Sequence, residues 1–139
     1  MKGYLQKIPE KIAGSINIYE FNDVAHNFPM HYHPLFELTL FHSYSGKILI
    51  DNKIIYPENG DILFLTPNIP HANLKHPADK EKIDHGMVFI FDRDIFGNRF
   101  LEQNNFALTL QLLNGDFAGI FFKTSQMTRD VFRLLKGID

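Results

Sequence analysis

Cysteine is absent from this chain of 139 residues, which excludes disulfides and thiolate metal ligands and fits a reducing compartment without proving one. Tryptophan is absent too, so a frequent sugar-stacking side chain is missing, although Tyr and Phe can take its place. Positive charge is in short supply and scattered: Lys and Arg number 14 against 16 Asp and Glu, a net charge of −2. A nucleic-acid-binding surface normally shows as a basic cluster, so this chain is not expected to bind DNA on its own. Met1 to Lys7 contains no apolar signal-like core, and no apolar run approaches the ~18 residues of a membrane helix. Neither secretion nor membrane spanning is expected, and cytoplasm is the expected location. Repeats and low-complexity segments are also missing.

What remains describes one ordinary globular domain, with 45% apolar and 22% charged residues. Aromatics make up 14%, fourteen of them Phe, which favours a β-rich core of large flat side chains. Residues 1–14 show no sustained period and read as an arm. From 15 to 92 the chain reads as strands: Ser15–Phe21, Leu35–Tyr44, Lys47–Ile50, Ile54–Tyr56, Ile62–Leu65, His71–Leu74 and Ile83–Phe91. Turn residues separate them, with Gly60 the natural owner of a positive φ. Lys75–Lys82 reads as an exposed loop. Residues 93–139 change to short helical pieces, including Phe106–Leu113. The last is a helix capped by Thr124 or Ser125, with Met127, Val131, Leu134 and Leu135 in one stripe and Gly137 at its end.

One stretch stands out, His31-Tyr32-His33-Pro34-Leu35-Phe36-Glu37. If it is extended, period-two alternation sends His31, His33 and Glu37 to one face, together with Leu35, Thr39 and Phe41. Buried ionisable groups are costly unless paired, bonded to a ligand or coordinated to a metal. This stretch therefore asks for an occupied pocket. The opposite face, Phe36, Leu38 and Leu40, is apolar too and asks for cover from a sheet, a helix or a partner subunit. His26, His42, His76 and His85 have no supporting spacing and read as surface or structural residues.

Two polar patches, His31-x-His33-x-x-x-Glu37 reaching Gly46, and Gly60-Asp61 leading to His71, resemble the two motifs of the cupin superfamily. The resemblance implies a mainly β, cupin-type β-barrel (jelly-roll) with short C-terminal helices. It also implies a metal site of His31, His33, Glu37 and His71, suited to Zn, Ni, Fe or Mn. Thr66 and Asn68 depart from the usual Pro and Gly of the second motif, and Lys75 from its usual Asn. The phrase His-Tyr-His-Pro-Leu-Phe-Glu-Leu, the run Asp61 to His71, and Phe89-Ile-Phe-Asp with helices after it resemble more particularly the N-terminal effector-binding and dimerisation domain of AraC-type transcription regulators.

That second resemblance implies a sensor of a small molecule, with a sugar as first guess, contacted by His31, His33, Glu37, Thr39, His71 and Asn73. It further implies a homodimer, and DNA contact only through a C-terminal domain that this chain does not contain. Residues 93–139 would then hold the helical appendix and the start of the dimerisation and linker region. The dimer contact is expected on the stripe Met127, Val131, Leu134 and Leu135, with Phe106–Leu113 as its counterpart, or otherwise on the Phe36, Leu38 and Leu40 face. Two alternatives stay open. The four polar residues could bond an organic effector or one another without metal, or the chain could be a stand-alone metal-dependent cupin enzyme, an isomerase or dioxygenase.

Overall fold

The computed structural model describes residues 3–6, 16–23, 28–97, 99, 107–114 and 117–137. The protein is mainly β, as expected. Its strands are β1 (Tyr4–Leu5), β2 (Ile16–Asp23), β3 (Phe28–Tyr32), β4 (Phe36–Ser43), β5 (Gly46–Ile50), β6 (Lys53–Ile55), β7 (Ile62–Leu65), β8 (His71–Lys75), β9 (Asp84–Phe91) and β10 (Gly119–Phe122). Two α-helices are described, α1 (Ala107–Leu113) and α2 (Gln126–Leu135). Short 3-10 turns occupy Pro77–Asp79 and Arg93–Phe96. Residues 1–2 and 7–14 of the expected arm, Ser15 of the first expected strand, His26, and Phe106 of the expected helical piece lie outside the described residues.

The strands form two five-stranded sheets. The first runs β1-β3-β8-β5-β6 and the second β10-β7-β4-β9-β2. They face each other as a barrel-like sandwich, and alternation along each strand divides its side chains between an inner core and an outer face. Phe21, Phe41, Ile48, Leu63 and Leu65 fill the space between the sheets. Phe21 lies so close over Gly86 that an added Cβ would sit 2.3 Å from its ring, so this position of β9 needs glycine.

The outer face of the second sheet is covered by the chain's own helices. α1 inserts Leu113 against Phe36 and Phe64, and α2 inserts Phe132 against Leu40, Ile62 and Phe89. This corrects two expectations. The Phe36, Leu38 and Leu40 face is packed within the chain, so it offers no dimer contact. The helical stripe splits: Val131 and Leu135 pack on the sheet, whereas Met127 and Leu134 are exposed at 51% and 73%. Within the chain, α1 and α2 pack in different apolar clusters on the sheet.

Local signals explain the helix start and its end. Ser125 Oγ accepts from Thr128 N (3.3 Å), and Ser125 N donates to Thr128 Oγ1 (2.8 Å), a reciprocal capping box. The end does not use Gly137 as a left-handed cap: Lys136 is the C-cap, at φ −63, and Gly137 N donates to Leu134 O in a tight last turn. Asn68 and Gly60 take the left-handed conformations expected of them, at φ 64 and φ 90.

Candidate functional site

The polar stretch is not one strand. β3 ends at Tyr32, Pro34-Leu35 form a bend, and β4 starts at Phe36. His31 and His33 therefore belong to the first sheet and its edge, and Glu37 to the second. They converge because the bend folds one sheet over the other, and strand parity alone does not bring them together. His71 sits directly opposite His31 in the β3–β8 ladder, with ring centroids 4.1 Å apart.

Three imidazoles, those of His31, His33 and His71, are buried and offer one nitrogen each, all within 4.8 Å of one another. Each ring is aimed by the backbone. Nδ1 of His31 donates to Pro29 O (2.8 Å), that of His33 to Leu35 O (3.0 Å), and that of His71 to Ile69 O (2.8 Å). A carbonyl only accepts, so Nδ1 carries the proton in all three rings, and Nε2 is the nitrogen each has left for a ligand. The carbonyl of His33 in turn accepts from Asn68 N (2.8 Å), which ties the two motif loops together.

Glu37 Oε2 lies 3.0 Å from His33 Nε2 and 3.4 Å from His71 Nε2. Its other oxygen accepts from Thr39 Oγ1 at 2.8 Å. With Nδ1 protonated, the short His33–Glu37 contact needs either a second ring proton or a cation between the two atoms. His71 Nε2 is buried and has no hydrogen-bond partner among the described residues; its contact with Glu37 is an ion pair without hydrogen-bond alignment. An orphaned imidazole nitrogen beside two others and a carboxylate fits a divalent transition metal, and the nitrogen-and-oxygen donor set suits Zn, Ni, Fe or Mn.

Electrostatics separate the members. Burial, reinforced by the charge of His71, pushes His31 down to about 4. Burial also lowers His71, but the Glu37 carboxylate close beside it outweighs that and leaves the ring raised. Burial raises Glu37, and the bond to His33 together with the nearby His71 imidazole reverses that and holds it below the usual carboxylate range. The cluster thus keeps an anion and a neutral imidazole side by side.

A cavity of about 200 Å³ opens onto the cluster. Tyr19, Phe28, Val88 and Ile90 form apolar walls, and Gln6 reaches the rim. His31, Glu37, His71 and Asn73 line it as expected; Thr39 and His33 do not, and act instead by holding Glu37. The walls were missed in the sequence. Tyr19 and Val88 do sit on the inward parity of their strands, paired with each other and with Thr39, but nothing short of the sheet pairing relates them to Glu37. Among the described residues the other histidines are structural or superficial: His76 caps a 3-10 turn, and His42 stacks on His85 and meets Phe132 of α2 edge-on.

No family model and no curated protein matches this chain. Among solved structures it is similar to ToxT from Vibrio cholerae, with a TM-score of 0.56 and 15% identity over 90% of this chain and 47% of that one. A second ToxT structure, bound to an unsaturated fatty acid, has a TM-score of 0.49 at 12% identity, covering 89% of this chain and 44% of that one. The plu4264 protein of Photorhabdus luminescens has a TM-score of 0.39 at 12% identity, covering 71% and 65%. This chain spans about half the length of the ToxT chains. At such identities the likeness to ToxT is one of fold: the two-sheet sandwich and its helices.

Proposed function

We propose that this chain is the effector-sensing part of an AraC-type transcription regulator. The observation that carries it is the convergence of His31, Glu37, His71 and Asn73 on a cavity inside this fold. The fold likeness to ToxT, a regulator of that type, supports it, as does the resemblance of the segment from His31 to Asn73. The effector is a small molecule whose polar end meets the imidazoles, Glu37 and Asn73, with its body against Tyr19, Phe28, Val88 and Ile90. A monosaccharide is one such molecule: its hydroxyls suit the polar floor and its apolar ring face suits Tyr19 or Phe28. Homodimerisation would use the exposed part of the helical stripe, Met127 and Leu134. DNA would be contacted by a separate domain.

A metal is part of the proposal. His31, His33 and His71 through Nε2, with Glu37 through its carboxylate, would hold it, and bound there it supplies a Lewis acid for a ligand oxygen. The Nδ1 anchors on Pro29, Ile69 and Leu35 orient the rings for that purpose without needing the metal. The same geometry favours the second reading, a metal-dependent cupin enzyme.

Thermal-shift screening of sugars and small carboxylates, with and without Zn or Ni, tests the site against a His31→Ala, His71→Ala variant. A shift in the parent that the variant lacks is expected. No ligand or metal distinguishing the two proteins defeats the reading. Regulation is tested by fusing the chain to a DNA-binding module that needs dimerisation. Operator affinity unchanged by a ligand that binds the site sinks the regulator and leaves the enzyme.

A further inference from the structure

Among the described residues the two sheets do not pair at their edge strands, which leaves two flanks. The first cavity lies on the flank of β1 and β2. The second flank lies between edge strands β6 and β10, and there a cavity of about 360 Å³ opens. Its floor is apolar, built from Ile50, Ile55, Leu63 and Phe121, which pack against the inner core. Its rim is the turn Asp51-Asn52-Lys53. No ion pair or hydrogen bond joins these three side chains to any other among the described residues.

Both walls are fixed in advance. Asp51 takes a left-handed φ of 51, and its N–H donates to Pro70 O at 2.8 Å, which pins the turn to the loop before β8. On the other side Thr66 Oγ1, itself buried, donates to Phe117 O at 2.7 Å, and Thr66 N donates to Ala118 O at 3.0 Å. A preformed apolar pocket with few convergent polar groups is the usual form of a small-molecule site.

We propose that this second cavity binds a zwitterion with an apolar tail, an apolar or aromatic α-amino acid. A carboxylate and an ammonium stand two residues apart on one turn, with a carboxamide between them. Their complement is a ligand carrying the opposite charges a few ångströms apart: its ammonium on Asp51, its carboxylate on Lys53, its backbone polar atoms within reach of Asn52. A purely anionic ligand would meet the Asp51 carboxylate, and a purely cationic one the Lys53 ammonium. The apolar floor takes the side chain, and Phe121 offers its ring to an aromatic one. Nothing in this site depends on the imidazole cluster.

L-Phenylalanine is the probe. Titrated into the labelled protein and followed by amide chemical shifts, it is expected to give saturable changes at residues 51–55, 63 and 117–121. N-Acetyl-L-phenylalanine and 2-phenylethylamine, each lacking one charge, should bind at least about tenfold more weakly. Lys53→Glu and Asp51→Asn, at exposed turn positions where both replacements are conformationally tolerated, should weaken L-phenylalanine similarly with the rest of the spectrum unchanged. His31→Ala should leave it unchanged. The proposal is overturned if those amides show no saturable change at millimolar probe, if both analogues bind as well as the amino acid, or if the changes centre on His31, His71 and Asn73. That last outcome assigns the probe to the first cavity.

Discussion

Two carboxylates, the buried Asp61 and the partly exposed Glu37, are treated very differently by the same fold. Asp61 has no exposed surface, and its two oxygens accept from Glu58 N, Thr124 N, Thr124 Oγ1 and Lys123 Nζ, all at 2.7–3.0 Å. Burial raises it, but these four partners reverse the shift and hold it ionised. It staples the turn before β7 to the segment that starts α2. Glu37 has partners too, but one of them, His71, is left with an unbonded buried nitrogen. A buried polar network that is complete specifies structure, and one that is incomplete marks a place for something else. Both residues fall in the two polar patches of the sequence, one in a closed staple and the other in the imidazole cluster.

The contrast is broken most forcefully at the staple. Asp61→Ala leaves Lys123 and three other donors without their acceptor and should cost about 3–5 kcal/mol, read as a lower denaturant midpoint. A loss under about 1 kcal/mol would show that α2 holds its place by apolar packing alone. His71→Leu should cost less: it removes an orphaned buried nitrogen but also the bond to Ile69 O and a neighbour of Glu37, so a loss of about 1–2 kcal/mol is expected, while metal and ligand binding are lost. If both variants lose stability equally, the site is as structural as the staple.

The pH dependence sharpens the comparison further. In the metal-free protein His31 is held near 4, below the 6.5 of an unperturbed imidazole. The unfolded chain therefore takes up this proton first, and His31 costs the fold stability as pH falls from 6.5 to about 4. His71, raised in the fold, acts in the other sense: its contribution is present below 6.5 and lost as pH rises through its folded value. His31→Gln should flatten the acid limb of the stability profile, and NMR ring titrations should place the two histidines on opposite sides of 6.5. Saturating metal should abolish both titrations. The smallest effect is expected at the exposed helix face, where Leu134→Lys should change monomer stability by no more than about 0.5 kcal/mol. A fall in sedimentation weight would show that the face mediates association.

The strands were largely legible, because alternation and turn chemistry are local: Ile62–Leu65 matches β7, and Ser125 caps α2 as its position suggests. β3 was not, because Phe28-Pro29-Met30 carries no alternation beside the more conspicuous His31 and His33. The four residues proposed as metal ligands were legible as a set. Their route to one another was not: parity placed His31, His33 and Glu37 on one strand, and the chain instead bends at Pro34 and assembles them with His71 across two sheets. The helical stripe was half legible. Period 3.6 identified Val131 and Leu135, but which neighbouring apolar residue turns inward depends on where the helix axis crosses the sheet, and Phe132 took the place assigned to Leu134.

By itself the sequence determined the residue types of the cluster, the mainly β class and the absence of thiols, since each follows from composition or from neighbours a few residues apart. Only the tertiary structure decided that Thr39 serves Glu37, that Tyr19, Phe28, Val88 and Ile90 enclose the cavity beside the cluster, and that the outer sheet face belongs to the chain's own helices. Those are pairings between residues far apart in the chain, set by sheet register and the bend at Pro34, and a one-residue change of register would have sent each side chain to the opposite face.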